Sequence, residues 1–277
     1  MKKTIIAILA LQGLALADTT WTFDKTLAST ADSTVSITAT VQENKSATYV
    51  ETGLAKGSVF GRYELDRDLG QAIDFTKDGV YLGVPNGAYT GGSNKLYIGG
   101  SNDTDFTIMG YVNYSTLTGE QYFFGTGSNN TEGIGFGLMN GQLNLVAKGK
   151  ANNILTMEGN PYSIKANTWY HLAVSYDNDT NQASFYVNGD YVGAVTITSA
   201  STGNAGHGAA IGASCQDLVN GAVRDDFNGY LAELSIYNKT MTAAEIRSTA
   251  GLVVPEPATA TLSLLALAGL AVRRRRK

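Results

Sequence analysis

Asn167-Thr168-Trp169-Tyr170-His171-Leu172-Ala173-Val174-Ser175-Tyr176-Asp177, followed by Ser184-Phe185-Tyr186-Val187-Asn188-Gly189-Asp190-Tyr191-Val192-Gly193, is the stretch on which the fold turns. Tyr170, Leu172, Val174 and Tyr176 recur at every second position, the period that brings strand side chains to one buried face. Asn188-Gly189 stands between two β-rich runs, and both residue types accept the positive φ of a two-residue hairpin turn. The alternation extends upstream. Phe106, Ile108 and Val112 share one face of their run, as do Leu143, Leu145 and Ala147 within Gln142 to Ala147. Of 32 glycines, those in Gly91-Gly92, Gly99-Gly100, Gly125-Thr126-Gly127 and Gly133-Ile134-Gly135-Phe136-Gly137 read as breaks that cut the chain into short strands and tight turns. Thr242-Ala243-Ala244-Glu245 carries the one helix signal, a capping box that predicts a short helix from Ala243 to about Ser248. Short antiparallel strands, one brief helix near the end and no strand–helix alternation predict an all-β fold, a two-sheet antiparallel jelly-roll sandwich. Trp169 is expected to be buried between the two sheets.

The two ends read as addresses. Lys2 and Lys3 precede an apolar stretch from Ile5 to Leu16 that closes on Ala15-Leu16-Ala17, the layout of a secretory signal helix that signal peptidase removes to expose Asp18. At the other end Pro255-Glu256-Pro257 is followed by the apolar run Ala258 to Val272 and by Arg273, Arg274, Arg275, Arg276 and Lys277. That run falls short of the ~20 apolar residues of a comfortable membrane span. The basic cluster would hold its end in the cytoplasm while the rest is exported. The expected organisation is a signal peptide at 1–17, one jelly-roll domain at 18–252 and a sorting and membrane segment at 253–277.

Charge and cysteine content narrow the partners. The chain carries a formal −4, but without the terminal Lys2, Lys3, Arg273 to Lys277 and Glu256 there remain 13 cations and 23 acids, a charge of −10. Nucleic acid is therefore not an expected partner, because phosphate binding needs basic patches. Cys215 is the single cysteine, so no disulfide forms within the chain. With His171 and His207 as its two histidines, the chain has no transition-metal cluster of the usual ligands, and Cys215 has no recognisable paired base for nucleophilic work.

The tripeptide, apolar helix and basic cluster, in that order, resemble the PEP-CTERM sorting tail of exported bacterial proteins. There a membrane transpeptidase of the exosortase family recognises the tripeptide and removes the hydrophobic helix with its basic end. The resemblance implies an exosortase-type partner, transient membrane anchoring through the C-terminal helix, and display at the cell surface or in an extracellular matrix. Replacing Pro255-Glu256-Pro257 by three alanines is expected to leave the tail attached, as read by intact mass. Equal tail removal in the variant would refute the sorting assignment.

The central stretch resembles the LamG-like, concanavalin A-like jelly-roll superfamily, with its W-x-H-x-A-x-x-Y-D at Trp169 to Asp177 and its Y-V-N-G at Tyr186 to Gly189. Phe227-Asn228-Gly229-Tyr230-Leu231-Ala232-Glu233-Leu234-Ser235-Ile236-Tyr237-Asn238-Lys239, with the helix start at Thr242, is similar to that family's closing segment. Ala72-Ile73-Asp74-Phe75 and Tyr81-Leu82-Gly83-Val84 resemble its opening strand pair. The likeness runs from about Ala72 to Ser248. The acid of the family's I-D-E, near a bound calcium in some members, stands here as Ala232, which lowers the expectation of that site.

Several residues could carry chemistry. Glu64-Leu65-Asp66-Arg67-Asp68 resembles the paired carboxylates of jelly-roll glucanases, where two acids flank a sugar bond. The last glutamate of that pattern is missing, and a solvated charged loop is the preferred reading. His171 reads as a hydrogen-bonded framework residue and His207 as a loop residue. Asp177-Asn178-Asp179-Thr180-Asn181 places oxygens at alternate positions, a spacing that hard cations accept. Ordinary hairpin turn residues are the preferred reading, and calcium is expected to bind weakly or not at all, with Asp177, Asp179 and Glu233 as its candidate ligands. Asp217, Asp225 and Asp226 form a second acidic loop group. The expected function is an exported, noncatalytic recognition module whose rim loops bind glycans or another extracellular partner. A structural matrix component is the first alternative, and a glycoside hydrolase or lyase on the same scaffold the second.

Overall fold

The computed structural model describes residues 19–23, 40–41, 46–77, 80–84, 105–126, 134–147, 151–156, 162–197, 209–213, 215–217, 222–224 and 227–255. The signal segment, Glu256 and the tail beyond it, His207, Asp225 and Asp226 lie outside these residues. No helix among the described residues is long and apolar enough to cross a membrane.

Two antiparallel sheets carry the fold, as the alternation predicts. The first runs β15 (Asp190–Thr196), β14 (Gln182–Val187), β13 (Trp169–Asp177), β8 (Phe106–Tyr114), β19 (Gly229–Tyr237), β6 (Leu69–Asp74) and β3 (Tyr49–Leu54), with β1 (Thr19–Trp21) also on β19. The second runs β12 (Ala151–Leu155), β11 (Gln142–Ala147), β10 (Gly135–Met139), β9 (Glu120–Thr126), β16 (Ala209–Ile211), β7 (Leu82–Val84) and β2 (Thr40–Val41). β17 (Cys215–Asp217) and β18 (Ala222–Arg224) form a separate ribbon, so Asp217 lies in a strand rather than in the expected loop. The resemblance to an opening strand pair is corrected here as well. Ala72 to Asp74 belong to β6 and Leu82 to Val84 to β7, in opposite sheets, so the chain between them crosses the sandwich.

Between the sheets lies the main core. Ile108, Val112, Tyr170, Leu172, Val174, Tyr176 and Phe185 of the first sheet meet Phe123, Phe124, Phe136, Leu138, Leu143 and Leu145 of the second. Gly125, Gly135 and Gly137 lie within β9 and β10 rather than in turns, contrary to expectation. A Cβ on Gly137 would stand 2.0 Å from the Gln121 carbonyl oxygen, where a bulge presses β10 onto β9.

The outer face of the first sheet is covered too. Helix α1 (Ala243–Ala250) begins with the capping box from Thr242 and Glu245 and ends on Gly251 at φ 74°. Beside it β20 (Leu252–Val253), β5 (Tyr63–Leu65) and β4 (Val59–Phe60) form a three-stranded sheet. Phe60, Tyr63, Leu65, Leu69, Ala72, Tyr111, Ala232, Ala250 and Leu252 make a second core under this cap, and Trp169 packs against it, half-buried. Trp169 is therefore not between the sheets. Strand period puts it opposite Tyr170, on the face of His171, and the cap supplies apolar cover on that side. Of the Glu64 to Asp68 segment, Glu64 and Leu65 belong to β5 within the cap, whereas Asp66 to Asp68 form the loop to β6 with both aspartates exposed.

Candidate functional site

Two tight turns meet at one end of the first sheet. Asn188-Gly189, at φ 52° and 78°, closes β14 onto β15 as the sequence predicts. Gly61, at φ 63°, and Arg62 join β4 to β5. A Cβ on Gly61 would lie 3.9 Å from the Asn188 Cβ, so the turns touch.

Asp190 stands at this junction, 6% exposed. Its Oδ1 accepts from Arg62 Nη2 at 2.6 Å and from the Tyr63 hydroxyl at 2.8 Å, and its Oδ2 accepts from the Tyr162 hydroxyl at 2.8 Å. Arg62 Nε also donates to the Tyr63 hydroxyl at 3.0 Å. The guanidinium carbons of Arg62 and Arg247 lie 5.1 and 5.3 Å from the Tyr63 ring centroid, and Arg247 donates to the Gly189 carbonyl at 3.1 Å. Burial opposes ionisation of Asp190, but the hydrogen bonds from Arg62, Tyr63 and Tyr162 outweigh it and hold the carboxyl below its ordinary range. Burial, followed by the bond to Asp190, raises Tyr63; the bond to Asp190, followed by burial, raises Tyr162. Both phenols therefore remain donors at neutral pH.

This carboxylate organises an outward surface. The Arg62 side chain is 71% exposed. Tyr191, next along β15, is 55% exposed and packs edge-on against Tyr186 with centroids 5.8 Å apart. Guanidinium and phenol groups can hydrogen-bond hydroxyls, and a fixed aromatic ring offers an apolar flat face. Arg62 and Arg247 against Asp190 give this rim a local excess of positive charge on an acidic protein. Rim loops are the binding region expected from the sequence, but nothing in it connects residues 62, 63, 162, 190 and 247. The one local signal was an aspartate directly after an Asn-Gly turn.

A second polar group lies under the cap. Arg67 Nη2 donates to Glu233 Oε1 and Oε2, each at 3.1 Å, and Tyr111 donates to the Ala250 carbonyl at 2.6 Å, meeting an orphan acceptor at the end of α1. Burial pushes Glu233 up against the pull of Arg67. The His171 ring packs edge-on to Tyr111 with centroids 4.9 Å apart, and burial, then the Arg67 charge, lower its pKa to about 3. The His171 backbone is hydrogen-bonded in both directions with Asn188. Its ring Nδ1, contrary to the framework reading, has no hydrogen-bond partner among the described residues.

The structure separates the calcium candidates. Asp177 Oδ1 accepts the Thr180 amide at 3.1 Å, and the Tyr176 hydroxyl donates to Asn181 at 3.1 Å, which is the geometry of a closed turn; Asp179 is exposed. Glu233 aligns with Tyr111, six residues along β8 from Asp105 beside that turn, or ~20 Å at strand rise. Ala232, where the family's acid would stand, packs into the apolar cap core at 2% exposure. No group of three or more His, Cys, Asp or Glu side chains placed to hold a metal occurs among the described residues. The glucanase-like acids each have a local setting in the fold. Glu64 lies in β5, Asp66 is 3.6 Å from Arg67, and Asp68 accepts the Lys56 amide at 2.8 Å.

Comparison with known proteins places the fold and the tail. No curated protein matches the chain. Among solved structures it is similar to domain 4 of AbnA, a GH43 extracellular arabinanase from Geobacillus stearothermophilus, in complex with arabinotriose, with 16% identity over 85% of this chain and 98% of that one and a TM-score of 0.57. It is also similar to the CBM40 of Ruminococcus gnavus IT-sialidase bound to α2,3-sialyllactose, with 15% identity over 53% of this chain and 83% of that one and a TM-score of 0.43. At these identities the first likeness is one of fold. A model of the PEP-CTERM protein-sorting motif matches residues 253–277, which marks bacterial export, a transient membrane anchor and processing by an exosortase. The Laminin_G_3 model matches residues 89–247, more than half of the sequence, and with the two-sheet sandwich in view the chain belongs to the concanavalin A-like lectin/glucanases superfamily.

Proposed function

We propose that this protein is an exported, noncatalytic recognition module that binds glycans through the rim formed by Arg62, Tyr63, Tyr162, Asp190 and Tyr191. The observation that carries this reading is the buried Asp190, whose three hydrogen bonds hold an exposed guanidinium and two phenols in place one residue before the exposed Tyr191 of β15. Such preorganisation lowers the ordering cost of binding, and an exposed guanidinium and an exposed aromatic ring suit the hydroxyls and the apolar face of a pyranose or furanose. The local positive excess favours sugars that also carry a carboxylate. Asp66 beside Arg67 and Asp68 on the Lys56 amide support a noncatalytic role, because glycoside hydrolysis needs two carboxyl groups free to face one bond.

Testing this requires retention of the purified protein on a glycan array, with variants. Tyr191→Ala and Arg62→Ala are each expected to weaken binding by about tenfold or more, the effect of losing ~1.4 kcal/mol of contact. Tyr191 is exposed, so Tyr191→Ala should keep the melting temperature within a degree or two of the parent, whereas Arg62→Ala removes a partner of the buried Asp190 and should lower it. Binding that survives both substitutions would remove the rim from consideration.

A further inference from the structure

The sorting signal grows directly out of the fold. The PEP-CTERM match begins at Val253, a residue of β20 paired with Glu64 of β5. Leu252, just before it, is buried in the cap core. Gly251 is held as well: its amide bonds back to α1, and its carbonyl accepts the Asp66 amide at 2.8 Å. Val254 alone separates the paired strand from Pro255. Since a residue spans at most ~3.6 Å, the tripeptide begins within ~7 Å of the folded cap. An enzyme that grips it must lie against this face of the domain.

That face carries exposed valines on either side of one carboxylate, Glu64. Residues directly opposite one another in antiparallel strands point to the same side, so Val59, Glu64 and Val253 form one outward row across β4, β5 and β20. Phe60, Tyr63, Leu65 and Leu252 point the other way, into the cap. Val59 is 69% exposed, Val253 44% and Val254 71%. Single exposed valines are ordinary on protein surfaces. Three of them in one row and at its exit, at the root of a sorting signal, place an apolar contact where the processing enzyme has to sit. We propose that the outward face of the β4–β5–β20 sheet is a docking surface for the exosortase-type enzyme that acts on Pro255-Glu256-Pro257. The fold then does more than carry the signal, because it presents the signal together with a contact remote in sequence. The proposal rests on the sorting assignment and is independent of the glycan-binding rim.

Val59 is the decisive probe, being far from the tripeptide in sequence, exposed, and outside both polar clusters. The full chain is followed by pulse-chase in a host that contains the processing enzyme, and loss of the tail is read by mass. Val59→Asp is expected to slow tail removal by about tenfold, as the loss of a ~1.4 kcal/mol contact would. Signal-segment removal and melting temperature should match the parent, and Val59→Ile should process normally. A Gly-Ser insert of about ten residues after Val254, a flexible tether that frees the tripeptide from the cap, should abolish sensitivity to Val59→Asp. The triple-alanine variant, which retains its tail whatever the surface does, confirms in the same cells that the signal is in use. Parental processing of Val59→Asp overturns the proposal. So does equal slowing with and without the insert, which would mean that the valine face acts elsewhere, such as on the bilayer.

Discussion

Phe136→Ala is expected to lower the unfolding free energy by ~3–5 kcal/mol, the range for aromatic truncation in a packed core. The Phe136 ring is fully buried, 5.0 Å from Phe123 within its own sheet and 6.2 Å from Phe185 across the sandwich. A cavity there borders both sheets, and neither can relax into it without shifting a whole ladder of hydrogen bonds. Against a typical domain stability of ~5–15 kcal/mol, that loss would be evident as a large fall in the urea midpoint at constant slope. Trp169→Ala should cost less, about 1–3 kcal/mol, because its side chain is half-buried at the margin of the cap core rather than enclosed between sheets. A greater loss at Trp169 than at Phe136 would show that the cap, and not the inter-sheet core, is the principal source of stability.

The second large effect is on acid stability. His171 has its pKa lowered to about 3 by burial and by the charge of Arg67, from an ordinary 6.5. Because the folded-state value is depressed, the folded form resists protonation while the unfolded chain accepts it near pH 6.5. Stability is thus fully present above about 6.5 and is lost as pH falls toward 3. By linkage the loss reaches ~2 kcal/mol at pH 5 relative to neutral pH, at 1.36 kcal/mol per unit. His171→Gln should remove this component. Its own stability is set by how the amide packs against Tyr111, so the comparison is between slopes with pH and not between absolute values. Asp190, held low by its three donors, titrates in wild type and variant alike and cancels. Parallel loss of stability from pH 7.5 to 5 in both proteins would show that the imidazole is not enclosed as the fold has it.

Trp169 shows how a legible signal can be outweighed. Its alternation with Tyr170 puts it on the outer face of β13, against the expectation of burial between the sheets, and the cap supplies the apolar cover it finds there. Glu233 shows a signal that was absent. Strict alternation along β19 would put Leu231 and Glu233 on one face, but a bulge between them turns Glu233 outward to Arg67 while Leu231 and Leu234 both face the main core. The bulge presses on β8 where a Cβ at Gly110 would meet the Glu233 carbonyl oxygen at 2.5 Å, a close approach that no period along one strand encodes.

The Asn188-Gly189 turn, the bounds of β11 and the capped start of α1 could be read from adjacent residues because φ preference, strand period and capping act over a few positions. The two-sheet class followed from them, and the sorting tail from three segments in order. The Asp190 rim, the Arg67–Glu233 pair and the valine face beside the sorting signal belong to another scale. Each joins residues more than a hundred positions apart, such as Arg62 with Asp190 and Val59 with Val253, through turns that touch or strands that pair. Such juxtapositions come from burying both faces of the first sheet at once, and that balance of apolar surface belongs to the whole chain rather than to any segment of it.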